Sequence, residues 1–278
     1  MATSLVQELI ESGIHFGQRT GSWNPKMERF IYGKRNGIHI IDIKETVKGL
    51  LLAKKYIHTV VSEGKDVCFV GTKRQARQVL EQRVRDVGMP FVTERWLGGT
   101  LTNFRTIRTR LRRLEELEEI ERTDNFASYS KKMESQLRRE MKKIKRNLDG
   151  VRTMDRLPGA VVIIDVKREM NAIREARKLG VPTVCLIDTD GDPDNADIPV
   201  PGNDDSMRSI DVVVRELCAA VAEGKSLRTA RPEADPGEPR EGGRDGDRPR
   251  RSRRTQYRAD DGGSSAGAPE AERSAATA

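Results

Sequence analysis

Val67-Cys68-Phe69-Val70-Gly71-Thr72-Lys73 is a run of four apolar residues closed by a glycine, a hydroxyl and a cation. Four successive apolar residues suit a strand covered on both faces, as in a parallel sheet. Ala76, Val79, Leu80 and Val87 follow at helical spacing and read as a helix packed back on that strand. The same unit recurs outward in both directions. Upstream, Ser4-Leu5-Val6-Gln7 opens a short helix that stops at Gly13, and Ile38–Ile41 reads as a strand. Asp42-Ile43-Lys44-Glu45 then starts a helix to Gly64 on the stripe Val47, Leu50, Leu51, Ile57, Val61. Downstream, Gly159–Val166 and Val181–Ile187 are apolar strands around a helix on Ala172, Ile173, Ala176 and Leu179. Pro201-Gly202-Asn203-Asp204-Asp205 caps a last helix on Ile210, Val213, Val214, Leu217 and Val221, ending at Gly224. The fold class is α/β, a Rossmann-like parallel sheet flanked by helices.

One stretch breaks the alternation. Arg95-Trp96-Leu97-Gly98-Gly99-Thr100-Leu101-Thr102-Asn103-Phe104 carries a bulky anchor, Trp96, and a Gly98-Gly99 turn. Thr102 or Asn103 is placed to cap a helix beginning near Arg105. It reads as a structural joint. Beyond it two narrow stripes, Phe104, Ile107, Leu111, Leu114, Leu117, Ile120 and Tyr129, Met133, Leu137, Met141, Ile144, Leu148, read as an inserted antiparallel coiled-coil helical hairpin closed by the short loop 123–128. The expected organisation is an α/β body at 1–103 and 151–225, the hairpin at 104–150 and a tail at 226–278.

The tail is rich in Arg, Asp, Glu, Gly, Pro, Ser and Ala and has Tyr257 as its one aromatic residue. It buries too little apolar surface to offset chain entropy, so the expectation is disorder. The tail's 11 basic and 10 acidic residues nearly cancel, so most of the net charge of +8 belongs to the first 225 residues. A basic folded part points to a polyanion partner, RNA or DNA first. Apolar runs are too short to span a membrane, and Met1–Leu5 lacks a signal-peptide n-region. Cys68, Cys185 and Cys218 are far apart, which fits a reducing cytosol, and Cys68 and Cys185 sit inside apolar strand runs as buried thiols. His15, His39 and His58 lack the spacing of zinc ligands, and neither a metal nor a cofactor is expected.

Three places hold candidate chemistry. Gln18–Gly37 interleaves Arg19, Lys26, Arg29, Lys34 and Arg35 with Trp23, Phe30 and Tyr32, a mixture in which cations meet phosphates and rings stack on bases; a surface loop with its rings tucked into the body fits equally. The Gly71-Thr72-Lys73 turn, with Arg74, opens a helix after a parallel strand and so offers an anion site, although G-x-x-x-x-G-K-[ST] and G-x-G-x-x-G are both missing. Asp188-Thr189-Asp190-Gly191-Asp192 starts like a calcium loop but has Pro193 and Pro199 where that loop needs Gly and Glu. An α/β enzyme or nucleotide-binding module at the strand ends is the alternative reading. It has no nucleophile–base constellation to support it.

Four motifs, Trp23–Met27, Arg35–Asp42, Arg95–Phe104 and Pro201–Asp205 with Arg208-Ser209, resemble in order and spacing the bacterial small-subunit ribosomal protein S-two family over about residues 4–225. The resemblance implies no catalysis. It implies a cytoplasmic, ribosome-associated protein that binds small-subunit ribosomal RNA, contacts neighbouring small-subunit proteins and helps dock ribosomal protein S-one for messenger RNA capture. No homo-oligomer is expected. Charge, loop position and resemblance together nominate Arg19, Lys26, Arg29, Lys34, Arg35, Lys73, Arg74, Arg95, Thr102, Asn103, Arg105, Arg108 and Lys142 as RNA contacts, with Trp96, Gly98 and Gly99 as the joint. The sequence departs from the family's usual pattern at Gln18–Ser22 and at Asp190-Gly191.

Overall fold

The computed structural model describes residues 2–123 and 129–230. Helix α1 (Ala2–Ser12) leads into strands β1 (Phe16–Arg19), β2 (Ile31–Arg35) and β3 (Ile38–Ile41), then helix α2 (Ile43–Ser62). The chain continues through β4 (Val67–Val70), α3 (Arg74–Asp86), β5 (Phe91–Val92), α4 (Phe104–Arg122) and α5 (Lys131–Leu148). It closes with β6 (Ala160–Ile164), α6 (Met170–Lys178), β7 (Thr183–Ile187), β8 (Ile198–Pro201) and α7 (Met207–Ala230). The large sheet is parallel throughout, in the order β5-β4-β6-β7-β8. Counted by appearance this is 2-1-3-4-5, the flavodoxin-like variant of the doubly wound plan, whose switch point falls between β4 and β6.

Successive residues of a strand face opposite ways, and the core divides accordingly. Val67, Phe69, Val162, Ile164, Val184 and Leu186 face a core shared with α1, α2, α3 and α7. Cys68, Val70, Val161, Ile163, Cys185 and Ile187 face a second core shared with α6, the joint and the arm helices. This is why the strands read as unbroken apolar runs. The stripes of α4 and α5 meet each other, and ion pairs Arg113–Glu140, Glu121–Arg138 and Glu118–Lys145 join the two helices. Their core does not stop there. It runs through Met154 and Trp96 into the sheet.

Four expectations need correction. Ile38–Ile41 is a strand, but it is the centre of a separate antiparallel sheet, β1-β3-β2. The basic segment before it is therefore ordered, with β1 on one edge and β2 on the other. The two-residue strand β5 escaped notice because Phe91-Val92 is too short to show a period. Tyr129 and Met133, placed in the second stripe, are exposed. Gly224 does not end the last helix, which runs to Ala230. A Cβ at Gly224 would lie 2.9 Å from Val61 and 3.0 Å from the His58 carbonyl oxygen, so this glycine allows α7 to lie close on α2. The loop residues 124–128 and the tail from residue 231 lie outside the described residues. Among the described residues no helix is long and apolar enough to cross a membrane.

Gly49 plays the corresponding part where α2 crosses β8: a Cβ there would sit 2.5 Å from the Pro199 carbonyl oxygen. Helix propensity alone would make Gly49→Ala stabilising by about 1 kcal/mol, whereas overpacking costs about 1–3 kcal/mol. We expect a net loss, read as a lower urea midpoint with an unchanged slope. A raised midpoint would show that backbone contact does not govern this crossing.

Candidate nucleic-acid interface

The joint is organised by one carboxylate. Glu175 of α6 accepts from the Trp96 indole Nε1 at 3.0 Å and from the Gly99 amide at 2.8 Å through one oxygen. Its other oxygen accepts from the Leu101 amide at 3.0 Å and from the Thr102 amide and hydroxyl at 3.1 Å each. A left-handed Gly99 (φ +91°) turns these amides to one side. Gly98 is exposed, and Trp96 is buried in the second core. Burial would raise the Glu175 pKa, but the Gly99, Thr102 and Leu101 amides and the Trp96 indole outweigh it and hold the carboxyl below its usual range. Asn103 takes the N-cap position of α4, yet its side chain accepts the Thr106 hydroxyl instead of a backbone amide.

The joint sets α5 against the body, and between them lies a notch of about 570 Å³ lined by Arg77, Glu94, Arg95, Arg139, Lys142, Lys143, Arg146 and Asn147. Six cations face one carboxylate. Glu94 holds Arg77 at 3.0 Å and Arg146 at 2.7 Å, which ties α3 to α5. Arg95, Arg139, Lys142 and Lys143 are exposed and form no ion pair among the described residues. Their positive field has no internal partner. Arg105 and Arg74 are likewise exposed. Arg108, half-buried, bonds the Met154 carbonyl and Asp155 at the root of the arm.

The N-terminal cations are a mixed group. Lys26 is held by Asp192 at 3.0 Å and Asp194 at 2.6 Å. Arg29 covers the ring of buried Phe30, and Lys34 covers half-buried Trp23. Arg19 and Arg35 are exposed on the small sheet. Lys73 stands apart. Its side chain is 13% exposed, with its ammonium 2.7 Å from Asp204, 2.6 Å from Asp205 and 3.7 Å from Asp165. Burial would lower its pKa, but the Asp204 and Asp205 acceptors prevail and raise it.

Lys73 thus fills the crevice at the switch point, where a doubly wound sheet would seat a ligand. Gln18 completes the filling, donating to Asp188 at 3.0 Å and Asp205 at 2.7 Å. Asp188, Asp204 and Asp205 bring one oxygen each within 4.8 Å of one another. Burial, helped by neighbouring carboxylates, pushes Asp188 up to about 6. Such a crevice repels phosphate, and its cation is already engaged. Glu94 and Glu175 went unread in the sequence. The available signal was the Gly98-Gly99 turn itself, whose freed amides require an acceptor.

Two outcomes follow. Glu175→Gln turns an amide donor toward a ring of donors and should cost about 2–4 kcal/mol. Because the folded-state pKa is depressed, this contribution is present above the ordinary carboxylate range and is lost as pH falls through the lowered value. Unfolding curves of wild type and variant should therefore converge in acid; parallel curves would exclude the clamp. Lys73→Met strands Asp204 and Asp205 and should lower stability by about 3–5 kcal/mol. Urea unfolding checks this, and an unchanged midpoint would return Lys73 to the interface.

The pattern of the family described as "Ribosomal protein S2" matches residues 9–224. The chain is 58% identical over 225 residues to the small ribosomal subunit protein uS2 of Rhodopirellula baltica, covering 81% of this chain and 86% of the relative. Identity to the uS2 protein of Acidothermus cellulolyticus is 46% over 243 residues, covering 85% and 88%. Identity to the uS2c protein of Rhodomonas salina is 45% over 235 residues, covering 84% and 97%. Sheet, joint and arm all lie inside the matched span, and the chain belongs to the ribosomal protein S2 family.

Proposed function

We propose that the chain is a structural constituent of the small ribosomal subunit and works there by holding ribosomal RNA against the notch between α5 and the body. It is a scaffold and not an enzyme. The observation that carries this reading is the unpaired charge of Arg95, Arg139, Lys142 and Lys143 across a fixed cleft. Other arm cations, among them Arg113 and Lys145, are engaged in internal ion pairs, whereas these four are not and line one cleft. A rigid row of free cations suits a phosphate backbone, which binds through neutralisation and counterion release. Arg105 and Arg74 extend the positive surface. Residues 1–103 and 151–225 act as the body and 104–150 as a coiled-coil arm. Ribosomal protein S-one docking and action as a single copy are carried over from the family resemblance.

The test is sedimentation of small subunits carrying the full chain, wild type or Arg95→Glu/Lys142→Glu/Lys143→Glu, through gradients of rising salt. Wild type should leave the subunit only at high salt. The triple variant should leave at much lower salt, and its log K against log salt slope should be shallower by about 0.7–0.9 per lost phosphate contact. Equal retention of both proteins at every salt would refute the notch as an RNA surface.

A further inference from the structure

We infer that the outer face of the small sheet β1-β3-β2 is a stacking platform for an unpaired RNA base, a site distinct from the notch that rests on the RNA-binding reading above. Directly paired residues of antiparallel strands project to the same face. The register sets Arg19, Ile38 and Arg35 in one row across the sheet, and Phe16, Ile40 and Gly33 in the next. The opposite face holds His39 and Ile41, both buried, so it is the inner one. On the outer face Phe16 is 46% exposed and Ile38 and Ile40 are partly buried.

Two details turn this face into a shelf. A Cβ built on Gly33 meets nothing within 4 Å, so open space stands beside Ile40. The β2 register advances two residues, Ile31 to Gly33, while β3 advances one, Ile41 to Ile40. Tyr32 is the bulged residue, and bulges re-aim side chains. It is 81% exposed, against 54% for the next most exposed large apolar side chain among the described residues. The hairpin turns through Asn36 and Gly37, both left-handed (φ 51° and 75°), as in a tight two-residue turn. The platform is therefore formed in advance.

The choice of RNA over a protein partner comes from charge. No acidic residue lies between Glu28 and Asp42. Arg19 and Arg35 flank the apolar row and form no ion pair among the described residues. Rings that stack a base, with guanidinium groups at the sides for its phosphates, are the elements by which antiparallel sheets take up single-stranded RNA.

Small subunits reconstituted with the full chain are irradiated with short-wavelength ultraviolet light, and nucleotide adducts are located on the protein by mass spectrometry. The expected adduct is on Tyr32 or Phe16. Tyr32→Ala, and Gly33→Leu, which fills the shelf at a position outside the left-handed region, should remove it and weaken RNA binding about five- to a hundred-fold without changing the salt slope. Tyr32→Phe should retain both. Unchanged melting temperatures confirm that these surface variants fold. Adducts beside Arg95 with none on the sheet would overturn the platform and leave the notch standing. A photo-adduct joining Tyr32 or Phe16 to a neighbouring protein would show that the face meets protein instead. No adduct together with no subunit association would bring down the RNA-binding reading itself.

Discussion

Everything beyond β5 depends on the Glu175 carboxylate. The chain must leave a parallel sheet, build a pair of charged helices and re-enter the sheet at β6. At the exit it exposes consecutive amides that no ladder or helix satisfies. Unmet, such donors are costly when shielded from water. Glu175 meets five donors inside seven residues, and the Trp96 indole among them locks the turn into the second core. Because α6 packs on the sheet, the carboxylate is a fixed point of the body. The direction in which α4 departs is thereby a property of the sheet and not of a loose linker, and the notch inherits that rigidity.

Charge is sorted around this frame. Cations that tie elements together have partners: Lys73 in the crevice, Lys26 on the Asp192–Asp194 loop, Arg152 on Glu118, and Arg77 and Arg146 on Glu94. Among those that form no ion pair, Arg139, Lys142 and Lys143 share the α5 face with Arg95 beside them, and Arg19 and Arg35 lie on the small sheet. Exposed pairs contribute little to stability, so leaving these cations unpaired costs the fold little. It leaves a positive field available for association.

The parallel sheet was legible because strands buried on both faces must be apolar throughout; Val67–Val70 and Ala160–Ile164 carry no competing signal. The arm helices were legible from their stripes. The small sheet was not, since Phe16–Arg19 and Ile31–Arg35 are edge strands with mixed exposure and no clean alternation. The candidate site divides in the same way. Arg95 and Lys142 could be nominated as cations at the joint and on the arm, and Lys73 as a cation at a helix N-terminus, yet Lys73 lies among three carboxylates. Sequence shows charge, and only the three-dimensional pairing shows which charge is free. Glu175 lies 76 residues from Gly99, beyond the reach of any local pattern.

The filled crevice accounts for why a doubly wound sheet serves here as a scaffold. That plan ordinarily reserves the strand ends at the switch point for a ligand, with a helix N-terminus aimed at phosphate. In this chain the α3 N-terminus carries Lys73, the loops after β6 and before α7 supply Asp165, Asp204 and Asp205 to surround it, and Asp188 from the loop after β7 adjoins Asp204 and Asp205. The acids both neutralise the lysine and repel any anion. Gln18, from the small sheet, adds its amide to the same cluster and so fastens that sheet over the crevice. A site that would otherwise bind a small molecule has become the bolt between two sheets, and the surfaces left for recognition are the outer face of one and the arm of the other.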